Sequence, residues 1–290
     1  MRAADLKFNK HVGGPYELLK SKGLEGKLVE LEAFGYCVVE PEHVAPAEFI
    51  DRLRETVQRV GAERFVANDQ YEDAHGLQQA TGQLLTYLVF EDPIFEEALM
   101  NDVNIALITY LLGEDCCLSS MTSMLKGPSN VPLRLHADGT FIPPPLPAGG
   151  NVANSTYMLT DYTKENGALT VVPGSHKLCR QPTEAETNDF SLQVTVEAPA
   201  GSLVVWHGNL WHGAHPRVNP GLRINLIMHF CRMFCKTQEA YKGNAPPEVL
   251  ARNDERFSRL MGEHFHYGYK ADGPDRKVAA ALGFGAGARN

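Results

Sequence analysis

At 290 residues, with 43% hydrophobic and 21% charged side chains, the chain is long enough to bury a substantial core and has the composition of a globular protein. A formal charge of −8 without a basic stripe excludes the usual footprint of nucleic-acid or anionic-membrane binding. No apolar run approaches the roughly 18 residues of a membrane span.

Met1–Lys10 lacks the apolar core of a secretion signal. Cys37, Cys116, Cys117, Cys179, Cys231 and Cys235 show no framework spacing. Reduced thiols and a soluble, cytoplasmic protein are therefore expected. Residues 1–26 are polar, carry Gly13-Gly14 and Gly23, and read as an N-terminal extension that is either loose or docks late. Residues 27–116 read as helical support. Leu28, Leu31 and Phe34 share a helix face that stops at Gly35, and Tyr36–Val39 is a short strand. Pro46 opens a helix in which Phe49, Ile50, Leu53, Val57 and Val60 recur at three- and four-residue steps. A second helical region is expected over 78–112, interrupted at Pro93 and stopped by Gly113.

From residue 117 to 235 short apolar runs alternate with Gly, Pro, Asn and Asp. The spacing predicts strands near 117–125, 132–138, 153–161, 168–172, 192–197, 202–206, 211–216 and 222–234. Eight such strands suit a jelly roll, so the fold class is mainly β with flanking helices, in one domain. The prolines at 143–145 and 147 mark a loop leaving the second strand. Residues 236–290 return to helix and loop. Their aromatic cluster His264-Phe265-His266-Tyr267-Gly268-Tyr269 is a candidate lid or dimer contact.

The segment Arg134-Leu-His-Ala-Asp-Gly-Thr140 carries chemistry. In an extended chain His136 and Asp138 point the same way and Ala137 points away. Two ligands on one strand under-coordinate an ion, so a third must come from elsewhere. His207, His212 and His215 compete for that place. Two imidazoles and one carboxylate on one face of an octahedral ion leave three positions open, as in non-haem Fe(II) oxygenases. Arg223 lies in the most apolar strand, Leu222–Phe230. Its guanidinium there either snorkels to solvent or meets a carboxylate, from an Asp or Glu or from a bound molecule.

His136-x-Asp138, the block from Asp161 through Asn166-Gly-Ala-Leu-Thr-Val-Val-Pro-Gly-Ser-His176, and Leu210-Trp-His-Gly213 followed by Arg223 together resemble the phytanoyl-CoA dioxygenase family. The resemblance covers roughly 27–235. It implies a double-stranded β-helix enzyme that uses Fe(II), 2-oxoglutarate and O2. His136, Asp138 and His212 would be its metal ligands, and Arg223 would grip the distal carboxylate of 2-oxoglutarate. Hydroxylation of a small-molecule metabolite, with succinate and CO2 as co-products, is the expected reaction, and the carboxylate of Asp138 disfavours halogenation. Family members often carry a hydroxyl where Ala214 stands and an indole where Thr156 stands. Asn225 or Thr170 is expected to replace the hydroxyl, with Met124 also near the cosubstrate. Arg134, Phe141, Ser123 and Trp211 are the substrate-side expectations, and no catalytic group beyond the metal ligands is expected. His207 and His215 read as supporting or surface residues, and His176 as a turn stabiliser. Two other classes remain at this point: a non-catalytic jelly-roll binding protein, and a metal-dependent hydrolase or isomerase using the same three ligands.

Overall fold

A computed structural model describes residues 10–67, 83–129, 131–139, 141–264 and 268–281. The chain divides into two compact units, Met1–Ala240 and Tyr241–Asn290. The second contains α8 (Pro247–Arg252), α9 (Glu255–Leu260), the strand pair β11 (Tyr269–Lys270) and β12 (Gly273–Pro274), and α10 (Arg276–Ala281). Phe265, His266 and Tyr267 of the aromatic cluster lie outside the described residues.

The first unit opens with α1 (Lys10–Ser21), α2 (Gly26–Phe34), β1 (Tyr36–Val39), α3 (Pro41–Val44) and α4 (Ala47–Ala67). The N-terminal stretch is thus a helix that docks on α6 (Asp102–Leu112), with Leu19 fully buried. Tertiary burial outweighs the poor helix propensity of Gly13, Gly14 and Pro15. The helix expected over 78–112 is also broken up. Gln83–Leu85 is a strand, β2, followed by a 3-10 turn and two helices, α5 (Pro93–Leu99) and α6. Pro93 begins a helix instead of interrupting one: Asp92 caps it by accepting from the Ile94 N–H at 3.1 Å, and proline at the first position loses no hydrogen bond.

The remaining strands are β3 (Cys117–Leu125), β4 (Leu133–His136), β5 (Val152–Met158), β6 (Leu169–Val171), β7 (Val194–Thr195), β8 (Leu203–His207), β9 (His212–Ala214) and β10 (Asn225–Cys231), with α7 (Glu184–Thr187) between β6 and β7. They form a six-stranded sheet in the order β1-β8-β5-β10-β3-β2 and a four-stranded sheet in the order β4-β9-β6-β7, all pairs antiparallel. The sheets make a jelly roll rather than a closed barrel.

Alternation along the large sheet separates support from site. On the helix side, the Tyr157 hydroxyl donates to Ala98 O of α5 at 2.9 Å, and Asn104 of α6 lies 3.9 Å from the Met228 sulfur. The intervening residues, Asn154 and Thr156 on β5, Val204 and Trp206 on β8, and Asn225 and Ile227 on β10, line one interior cavity.

Candidate metal and cosubstrate site

His136 and His212 are cross-strand partners in the β4/β9 register, which places their rings 4.3 Å apart. The strand ends at His136, two residues earlier than expected, and Asp138 sits on the following bend, where its N–H donates to Gly208 O at 2.8 Å. The backbone between the ligands is clamped in both directions by Gln181: Ala137 N–H donates to its Oε1 at 2.9 Å, and its Nε2 donates to Ala137 O at 2.8 Å. Ala137 is buried among Leu135, Leu146 and Trp211, so the strand's other face is core.

The ligand atoms of His136, Asp138 and His212 all lie within 4.8 Å of one another. His136 Nδ1 is 2.9 Å from Arg134 O and His212 Nδ1 is 3.0 Å from Leu210 O. A proton on each Nδ1 satisfies these carbonyls and leaves both Nε2 lone pairs for an ion. Each Nε2 faces the carboxylate, at 3.9 Å for His136 and 3.8 Å for His212. Burial opposes the charge of Asp138. The His212, His229 and His136 rings and the Asn154 amide outweigh it, and the carboxyl lies below its ordinary range. Burial also pushes the His212 imidazole down, despite Asp138. Both shifts favour the deprotonated forms that bind metal.

A cavity of about 170 Å³ runs from Asp138 and His212 to Arg223. Arg223 is 6% exposed and forms no ion pair among the described residues. Its Nη1 donates to Gly167 O, its guanidinium lies 5.0 Å from the Tyr162 ring centre, and its Nε is buried without a partner. The Asn166-Gly167 turn thus docks the arginine as well as reversing the chain. Two more cations stand nearby. Arg217 donates to Gly221 O, Pro220 O and Asn166, while Lys126 donates to His215 O at 2.8 Å. Burial and Arg223 push Lys126 down to about 8. Thr156 Oγ1 and Trp206 Nε1, in residues that line the same cavity, are likewise buried and unpartnered. A cationic end with orphaned donors fits an elongated anion, and three ligands at the other end fit an octahedral metal.

Ala214 lines the cavity without a hydroxyl. Asn225 is tied up at both ends, accepting from Met124 N–H at 2.9 Å and donating to the Tyr162 hydroxyl at 2.9 Å. Met124 therefore reaches the site through its backbone. Thr170 and Arg134 line a neighbouring groove with His215 and not this cavity. Ser123 pairs with Leu85, is fully buried, and does not line the cavity. Trp211 is 1% exposed, packs with Leu135 and Ala137, and donates to Arg180 O at 2.8 Å. It is a core residue facing away from the metal ligands, whereas Trp206 stands 5.3 Å from the His212 ring. A second groove, of about 500 Å³, shares Asp138 and is lined by Phe141, Ile142, Val152, His229 and Lys236 among others, with Phe141 99% exposed. Asn154, Tyr162, Trp206 and Gln181 escaped the sequence reading. Asn154 had a signal: a polar residue at even spacing from Thr156 within a buried strand.

Fold and site together define a jelly roll that presents a two-histidine, one-carboxylate triad beside a cationic pocket. The chain belongs to the phytanoyl-CoA dioxygenase (PhyH) family, whose profile matches residues 31–225. It is similar to Dioxygenase af480 of Aspergillus fumigatus, 27% identical over 188 residues that cover 64% of this chain and 60% of that protein. Dioxygenase FUM3 of Gibberella moniliformis is 25% identical over 71% of this chain and 70% of its own length. Among solved structures, HygX from Streptomyces hygroscopicus, crystallised with nickel and 2-oxoglutarate, shares the fold with a TM-score of 0.58 at 14% identity, over 73% of this chain and 88% of that one. SnoN, an alpha-ketoglutarate-dependent epimerase of nogalamycin biosynthesis, does so with a TM-score of 0.56 at 22% identity, over 73% and 84%.

Proposed function

We propose that the protein is an Fe(II)- and 2-oxoglutarate-dependent dioxygenase that hydroxylates an unactivated C–H bond of a small-molecule metabolite. The observation that carries this reading is the single cavity with Asp138 and His212 at one end and an unpaired, buried Arg223 at the other. When bound, iron with 2-oxoglutarate and O2 supplies the oxidation, releasing succinate and CO2. The chain's own part is to hold and orient. His136, Asp138 and His212 grip the metal on one face, and Arg223 offers its planar fork to the distal carboxylate. Thr156, Trp206 and the Tyr162–Asn225 pair line the space between. His229, Ile142 and Phe141 line the substrate side, where His229 Nδ1 is buried without a partner. The six cysteines are free, which fits a cytoplasmic protein. Among the described residues no helix is long and apolar enough to cross a membrane.

A hydrolase or isomerase using the same ligands would leave Arg223 unexplained, because a metal-bound water needs no second cationic anchor. The test is anaerobic addition of Fe(II) and 2-oxoglutarate, read as a weak visible metal-to-ligand band, followed by succinate formation on admitting O2. The band is expected in the wild type and lost in His212→Ala. A protein with no band and no succinate would end the reading.

A further inference from the structure

We propose that Asn154 is a positioning residue for the metal's carboxylate ligand, and that the large sheet fixes Asp138 through it. The inference rests on the metal site proposed above. Asp138 is not held by a strand of its own. It lies two residues beyond the end of β4 and precedes Gly139, whose φ of +125° turns the chain away. Its side chain, unlike those of His136 and His212, cannot be aimed by a ring hydrogen bond to a neighbouring carbonyl. Among the described residues, the carboxylate's hydrogen bond comes from across the jelly roll, where Asn154 Nδ2 donates to Asp138 Oδ2 at 2.5 Å.

Asn154 is well placed to hold something still. It is 3% exposed and lies in β5, the third strand of the six-stranded sheet. Its backbone is in register with Trp206 of β8 on one side and His229 of β10 on the other, so ladders on both flanks set its position. A donor bonded to one carboxylate oxygen restricts rotation of the group and leaves the other oxygen for the ion. It also couples the two sheets at the metal: both histidines belong to the small sheet, and Asn154 belongs to the large one. Groups of this kind, which touch a ligand and not the metal, tune affinity by roughly 10–100-fold.

The experiment is Co(II) titration of chelator-treated protein, followed by the d–d absorption of the ion and by quenching of tryptophan fluorescence, Trp206 being 5.3 Å from the His212 ring. Asn154→Ala is expected to bind Co(II) about 10–100-fold more weakly than wild type with an altered d–d band. Asn154→Asp keeps the side chain's shape but, ionised, offers no donor, and is expected to be weakened at least as much. This second variant carries the test if the alanine protein does not fold. A merely structural asparagine would lower thermal stability without moving the band. The proposal is overturned if the folded variants bind Co(II) within about twofold of wild type with the same spectrum. It falls along with the metal site itself if the wild type binds no better than His212→Ala, an outcome distinguishable because all variants then look alike.

Discussion

A buried ion without a counter-ion costs several kcal/mol, yet Arg223 is kept at 6% exposure, and among the described residues it meets a carbonyl and an aromatic ring but no carboxylate. Arg217 and Lys126 add to the local positive potential, so the apo protein carries an electrostatic strain that a dianion would relieve. Two opposite effects are then expected from one substitution. Arg223→Met should leave the melting temperature of the apo protein unchanged or higher, since an uncompensated charge is gone. It should also abolish the stabilisation that 2-oxoglutarate gives the metal-loaded protein, which for wild type at about 100 times Kd is about 2.7 kcal/mol. Arg223→Lys keeps the charge and loses the fork. Its affinity for 2-oxoglutarate should fall on the order of tenfold, the equivalent of one hydrogen bond to a charged group. Thermal melts with and without 2-oxoglutarate read both effects, and an undiminished upshift in Arg223→Met would remove the arginine from the cosubstrate site.

The triad depends on how β4 meets β9. Their register slips between the Leu133–Ala214 and His136–His212 pairs, and at the slip the backbones come so close that a Cβ on Gly213 would lie 2.5 Å from Leu133 O. A carbonyl in a ladder cannot yield as a flexible side chain would. Gly213→Ala should therefore pry the strands apart, destabilise the fold by about 1–3 kcal/mol, and weaken Co(II) binding at least tenfold; a variant with wild-type Co(II) affinity would show that the two histidines do not depend on this contact. Much of this element layout was legible in the sequence. Breakers between apolar runs located the strands from 117 to 235, and alternation set His136 and Asp138 against Ala137. Trp211, expected on the substrate side, is instead buried beside Ala137 in the core. Long-range choices were not legible. Whether Gln83–Leu85 pairs with β3 or coils into a helix is decided by the partner strand, and nothing near Gln181 announces that it clamps a backbone 44 residues away. Asn154 and Trp206 belong to the site because β5 and β8 are neighbours, a fact of topology rather than of either segment.

At the scale of the whole molecule, the histidines give the fold a one-sided response to acid. His176, His207, His212, His215 and His229 are all pushed below the ordinary imidazole range, with burial the largest cause for each. A base whose folded pKa is depressed binds fewer protons folded than unfolded between the two values, so stability is lost as pH falls through that window. For His207 the window runs from 6.5 down to about 4. Its ring is 7% exposed, accepts from Asn209 N–H at 3.0 Å, and fills the space beside Gly150, where a Cβ would come within 2.7 Å of it. Protonation would destroy that acceptor and charge a ring already beside His176, 5.4 Å away. Across the window the linkage amounts to about 3 kcal/mol for this one group. His207→Asn should be less stable than wild type near neutral pH, because packing is lost. The gap should then narrow by about that amount as pH drops from 6.5 to 4, since the variant no longer has to keep this imidazole neutral. Denaturant unfolding of the metal-free proteins at a series of pH values measures the gap directly. A difference that stays constant across the window would mean that His207 titrates alike in the folded and unfolded chain, and that the acid sensitivity of the fold lies in the other buried histidines.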